Sequence, residues 1–194
     1  MKKYIISLIL LISVATLAAA QDKSSARSNV SLTADESYLI LSTKRIQTME
    51  KELDEAAAKG FRVLYGAPTI SFDIALFLKR IEAGEGQPYT YKILATSRNK
   101  TMEKELNELA AQGYRLLPRT IVFKQGLFTA EMLTVLEREP DSKVAYEYKL
   151  IEARKEVKLQ AKIDHAVAEG FAPLTMITLG ENVIVMEKVI ASKS

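Results

Sequence analysis

The sequence contains no cysteine, no tryptophan and a single histidine, His165. Disulfides, thiolate nucleophiles and thiolate metal sites are therefore excluded, as are metal sites built from several histidines. Glycine-rich phosphate loops and the Asp/Asn spacing of calcium loops are also missing from the sequence. We expect no cofactor and no metal, and we expect His165 to lie on the solvent side of a helix.

The first twenty residues have the three parts of a secretory signal peptide. A basic start at Lys2 and Lys3 precedes a short apolar run, which ends in small residues at Ala18–Ala20. The apolar run is shorter than a membrane-spanning helix needs, so cleavage after Ala20 is predicted rather than retention as an anchor. The mature protein is then periplasmic or secreted and has no transmembrane segment.

The charge of the mature chain is close to neutral. Loss of Lys2 and Lys3 lowers the formal net charge from +3 to about +1. Proteins that bind nucleic acid normally carry a clear basic excess, so nucleic acid is not expected as a partner.

The rest of the chain repeats itself. The run TMEKEL stands at positions 48–53 and again at 101–106, an offset of about 53 residues. A weaker third copy keeps the register, and Gly60, Gly113 and Gly170 each follow the apolar pattern of a helix and precede an aromatic residue. The pattern predicts helices that end at these glycines, where glycine tolerates a positive φ.

Each copy favours strand, amphipathic helix, strand and strand, so the fold class is α+β. We expect three tandem β-α-β-β repeats with about nine strands in all, each a small antiparallel-rich sheet with one packed helix. In the second copy, residues 114–123 are predicted to form one strand. The predicted divisions are a signal peptide at 1–20, a flexible leader at 21–36, and repeat units at 37–81, 89–138 and 146–190.

Short motifs in the second unit carry a family resemblance. They are Tyr89-x-Tyr91-Lys92, then Leu106-Asn107-x-Leu109-Ala110-x-x-Gly113-Tyr114, then Leu136-Glu137-Arg138. This order resembles a small bacterial β-α-β-β family classed as a domain of unknown function (number 4177). The family typically has Trp-Glu after the glycine, where this chain has Phe61-Arg62, Tyr114-Arg115 and Phe171-Ala172. The resemblance implies the fold of each unit and no activity.

Two sets of polar residues could indicate a catalytic or a sugar-binding site, but each has a simpler structural interpretation. Glutamates from Glu50 to Glu55, and again from Glu103 to Glu108, alternate with lysines on helices whose other face is apolar. Solvated, oppositely charged helix faces explain them better than paired catalytic carboxylates. The tyrosine pairs 89/91 and 146/148 lie two residues apart on a strand face, which favours core packing over a sugar-stacking platform.

One polar feature recurs in register at the strand-to-helix junctions. Basic residues stand there in all three copies: Arg45; Arg98 and Lys100; Arg154 and Lys155. Helix N-termini attract anions, so these residues are candidate ligands for an anionic partner. The alternative is that they extend into solvent and aid solubility.

The sequence therefore favours an exported, non-catalytic binding or structural module, with no catalytic residues assigned. Its partner would be an anionic ligand or another envelope protein. One alternative is an envelope hydrolase with a site between repeat units that uses carboxylates, tyrosines and arginines. Another is an assembly protein that oligomerises through strand edges.

Overall fold

The computed structural model describes residues 36–43, 45–69, 74–81, 88–125, 130–178 and 182–190. The predicted signal peptide and all of the predicted leader except Glu36 lie outside these residues. Within them, no helix has the length and apolar character that crossing a bilayer requires.

The fold is α+β, with three helices and ten strands among the described residues. In chain order they are β1 (Tyr38–Thr43), α1 (Ile46–Ala58), β2 (Phe61–Pro68), β3 (Ile74–Arg80), β4 (Thr90–Thr96), α2 (Asn99–Ala110), β5 (Arg115–Leu116), β6 (Val122–Gln125), β7 (Ala130–Arg138), β8 (Ala145–Ala153), α3 (Glu156–Ala168), β9 (Ala172–Thr178) and β10 (Asn182–Ile190).

The strands form three antiparallel sheets that share one strand order. The first is β1-β3-β2, the second β4-β7-β5 with β6 also paired to β7, and the third β8-β10-β9. In each sheet the last strand along the chain lies in the centre, and the strand that precedes the helix lies at an edge. Every sheet has a helix beside it.

The prediction of one strand over residues 114–123 is wrong. That segment is broken into β5 and β6 by a 3-10 turn at Pro118–Thr120. Pro118 has no N–H to give to the sheet, so a continuous strand ladder cannot form here. The buried hydroxyl of Thr120 replaces it, since it accepts the Val135 N–H at 2.9 Å and donates to the Leu117 carbonyl at 2.7 Å.

The helices alternate with the sheets. Helix α1 contacts β1 and β2 of the first sheet and β4 of the second, and α2 contacts β4 and β5 of the second and β8 of the third. Helix α3 contacts β8 and β9. Because α1 and α2 each contact two sheets, the second and third sheets have a helix on both faces. Among the described residues, the first sheet has a helix on one face.

Alternating side chains of β8 illustrate this arrangement. Tyr148 joins the core around Met102 and Leu106 of α2, whereas Ile151 joins the core around Leu159 of α3. Adjacent strand residues point to opposite faces, so a strand buried on both sides can be apolar at every position.

The three glycines that follow the helices adopt the predicted left-handed backbone. Gly60, Gly113 and Gly170 have φ of 83°, 88° and 91°. At Gly113 the N–H donates to the Ala110 carbonyl at 3.0 Å, which closes the last turn of α2. A Cβ there would lie 3.3 Å from the Val144 carbonyl oxygen, so the site is crowded as well as left-handed.

We predict that Gly113→Val lowers the free energy of unfolding by more than about 1 kcal/mol, because valine disfavours a positive φ. Gly170→Val is the comparison variant that separates backbone strain from the contact with the Val144 carbonyl. It carries the same backbone strain, but its Cβ would meet only the flexible Lys188 side chain. Chemical denaturation of both variants measures the difference. A Gly113→Val midpoint equal to wild type would contradict the assigned helix end.

Candidate functional site

The first and second sheets meet at a polar cluster, here called the first junction, formed by Arg62, Tyr91 and Glu137. Arg62 Nε lies 3.0 Å from Glu137 Oε2, and Nη2 lies 2.7 Å from Oε1, a two-point guanidinium–carboxylate contact. The Tyr91 hydroxyl donates to Glu137 Oε2 at 2.9 Å and accepts the Val63 N–H at 3.3 Å.

The second and third sheets meet in the same way, at a second junction formed by Arg115, Tyr148 and Glu187. Arg115 contacts both oxygens of Glu187, at 3.0 and 2.8 Å. The Tyr148 hydroxyl donates to Glu187 Oε2 at 2.9 Å and accepts the Leu116 N–H at 2.9 Å. Every contact of the first junction has its counterpart here.

The carboxylates and phenols of both junctions are almost fully buried. The side chains of Glu137 and Glu187 are each 7% exposed, and Tyr91 and Tyr148 are each 1% exposed. Burial is the largest influence that raises the pKa of both tyrosines above the usual phenol range. The phenols therefore stay protonated at neutral pH and act as donors to the carboxylates.

Two glutamates in the second turns of α1 and α2 have a role that the sequence interpretation missed. Glu50 Oε1 accepts the Ile93 N–H at 2.9 Å, and Glu103 Oε2 accepts the Leu150 N–H at 2.7 Å. Asn107 binds both the N–H and the carbonyl of Tyr148, at 2.8 and 2.9 Å. These side chains hydrogen-bond the outer backbone groups of the edge strands β4 and β8.

The prediction of solvated charged faces is thus wrong for Glu50 and Glu103. It holds for Glu55 and Glu108, which are 54% and 61% exposed and lie near lysines one turn earlier. A glutamate that reaches a neighbouring sheet has the same helical spacing as one that reaches a lysine, so the pattern alone did not separate them. The prediction of core packing is confirmed for Tyr91 and Tyr148.

A cleft of about 590 Å³ lies beside the β8 edge, between the start of α2 and the middle of α3. Its lining includes several polar side chains: Asn99, Lys100, Glu103, Lys162 and His165. Lys162 Nζ donates to the Glu152 carbonyl of β8 at 2.7 Å. His165 is 79% exposed, as predicted, and its Nε2 lies 3.0 Å from Glu169 Oε1.

The candidate anion ligands lie at the predicted strand-to-helix positions. Arg45, Arg98 and Lys155 are the residues directly before α1, α2 and α3, and none of the three forms a side-chain cap to its helix. All three and Arg154 are exposed. Of the predicted set, only Lys100 lines the cleft.

Comparison with protein-family models, with curated proteins and with solved structures finds no match to this chain. The proposed function therefore rests on the geometry of the junctions and of the cleft.

We predict that Arg62→Met lowers the free energy of unfolding by about 1–3 kcal/mol, because it removes the cationic partner of a buried carboxylate. Adding Glu137→Gln to Arg62→Met should recover part of that loss, because the neutral amide needs no cation. Chemical denaturation of the single and double variants measures the coupling.

The matched control is Lys51→Met, which removes an exposed i,i+4 pair with Glu55 and should change stability by less than about 0.5 kcal/mol. Equal small effects of Arg62→Met and Lys51→Met would contradict a structural role for the first junction.

Proposed function

We propose that this chain is a non-catalytic binding module of the periplasm or extracellular space. It is built from three tandem copies of one β-α-β-β unit, related to the family that its motifs resemble. Two observations support the repeat: the strand order shared by the three sheets, and the contacts that recur at matching positions of the two junctions. The signal-peptide pattern of residues 1–20 supports export.

The contents of the junctions weigh against the hydrolase alternative. A carboxylate, a tyrosine and an arginine do meet between sheets, as that alternative requires. At the first junction, however, both Glu137 oxygens are bound by Arg62 and Tyr91, and the Tyr91 hydroxyl is bound by a backbone N–H. A catalytic acid or base needs access to a substrate proton, and these groups are buried against one another.

The observation that carries the binding function is the cleft beside β8. Its volume falls in the range of small-molecule sites, about 300–1,000 Å³. Asn99 and Lys100 are the first two residues of α2, so the positive end of that helix faces the cleft, and Lys162 enters from α3. The lining has one more lysine than it has glutamates, so this excess of positive charge and the helix N-terminus together suit a ligand with an anionic group. The charged residues of the lining are Lys100, Lys149, Lys162, Glu103 and Glu152.

We predict that Lys100→Ala weakens binding of small anions at the cleft severalfold, because a charge-assisted contact is lost. Lys104→Ala is the matched control, since Lys104 lies one turn further along α2, is 77% exposed and does not line the cleft. Titration of isotope-labelled protein with phosphate, sulfate and an acidic glycan, followed by amide shifts at residues 149–152, measures this.

Binding should also weaken as salt rises, because the site is open to solvent. Equal affinities of wild type and Lys100→Ala, or no shift at residues 149–152 with any of the three probes, would contradict the proposed site.

A further inference from the structure

The outer edge of the first sheet has no hydrogen-bonding partner in the described part of the chain. Strand β1 pairs only with β3. The Ser37 carbonyl accepts the Arg80 N–H at 2.9 Å, so the backbone groups of odd-numbered residues point toward β3. In an antiparallel pair the orientation alternates, and the N–H and carbonyl groups of Tyr38, Ile40 and Ser42 therefore point away from the sheet.

At the corresponding edges of the other sheets, side chains of the preceding helix bind outward backbone groups of one residue of β4 and of two residues of β8. Glu50 binds the Ile93 N–H on β4, and Glu103 and Asn107 bind Leu150 and Tyr148 on β8. No helix precedes β1 among the described residues, and none of those residues hydrogen-bonds the outward groups of Tyr38 or Ile40.

Strand β1 is uncharged, and its first four residues are apolar. Strand β1 reads Tyr-Leu-Ile-Leu-Ser-Thr, and its outer face leaves Tyr38 64% and Ile40 56% exposed. Tyr91 and Ile93, which occupy the same positions of β4, are 1% and 7% exposed. Natural edge strands are usually blunted by charge, proline or a covering element, and β1 has no charge and no proline.

The opposite end of the molecule does not offer the missing cover. Helix α3 has Gln160 where α2 has Glu103, and the chain then has Ala172 and Pro173 where Arg115 and Leu116 stand. The guanidinium that binds the buried carboxylate and the N–H that binds the tyrosine hydroxyl are therefore both lost. Lys79 stands opposite Tyr38, where Glu137 stands opposite Tyr91. Head-to-tail stacking of copies would thus lack the contacts that hold both junctions together.

We propose that β1 pairs with β1 of a second copy of this chain, antiparallel and about a two-fold axis. Ile40 lies opposite Ile40 of the second copy, because its N–H and carbonyl both point outward, and Tyr38 lies opposite Ser42. The two first sheets then form one continuous six-stranded sheet.

Because of the two-fold axis, a charge introduced at position 40 of one copy lies opposite the same charge in the second copy. Sedimentation velocity of the purified wild-type protein over a concentration series should show a monomer–dimer equilibrium. Ile40→Lys and Ile40→Glu should each raise the dissociation constant by at least about tenfold, since like charges oppose each other across the strand pair. An equimolar mixture of the two variants should recover the dimer.

Val157→Lys is the control, because Val157 is 84% exposed on α3 at the other end of the molecule. It should leave the dimer unchanged. A wild-type protein that stays monomeric to its solubility limit would overturn the proposal. So would open-ended polymers, or a mixture of the Lys and Glu variants that stays as monomeric as each variant alone. This test does not involve the cleft, so its failure would leave the proposed ligand site standing.

Discussion

The architecture depends on two buried carboxylates. Glu137 and Glu187 lie near the ends of the central strands of the second and third sheets, and each is bound by an arginine from the preceding sheet and a tyrosine from its own. A carboxylate buried this far is costly unless its oxygens are satisfied. Each therefore fixes how the preceding sheet must lie, and the apolar contacts of α1 and α2 are formed in that register.

A second constraint comes from the narrowness of the sheets. A sheet of three strands with one helix has a thin core and two edges, so it is marginal alone. Sharing α1 and α2 between neighbouring sheets buries both faces of the second and third sheets, and Glu50 and Glu103 bind the edge strands at the same time. In the described part of the chain, the same sharing leaves the first sheet with a helix on one face and β1 with a strand partner on one side, which is where we propose self-association.

Much of the fold could be predicted from local patterns. The helix ends at Gly60, Gly113 and Gly170 followed from backbone sterics, and the α+β class followed from the periodicity. The break at Pro118 could have been predicted, because proline interrupts a strand ladder, but the apolar residues around it favoured one continuous strand. The junctions could not be predicted, because they join residues about 40–75 positions apart and depend on how sheets stack. One sequence signal for the junctions did exist: Arg62 recurs as Arg115 in the second unit and is replaced by Ala172 in the third. The family resemblance led us to interpret these residues as departures from the family's Trp-Glu motif instead.

The most direct test of the account is native-state amide hydrogen exchange at Ile93 and Leu150. Both N–H groups point away from their own sheets and are bound only by glutamates of a neighbouring helix. If the sheets and helices form one interlocked stack, these two amides should be protected nearly as strongly as the central strands β7 and β10, because they open only when the stack opens. Exchange close to the rate of an unprotected amide at either position, with the central strands still protected, would contradict it.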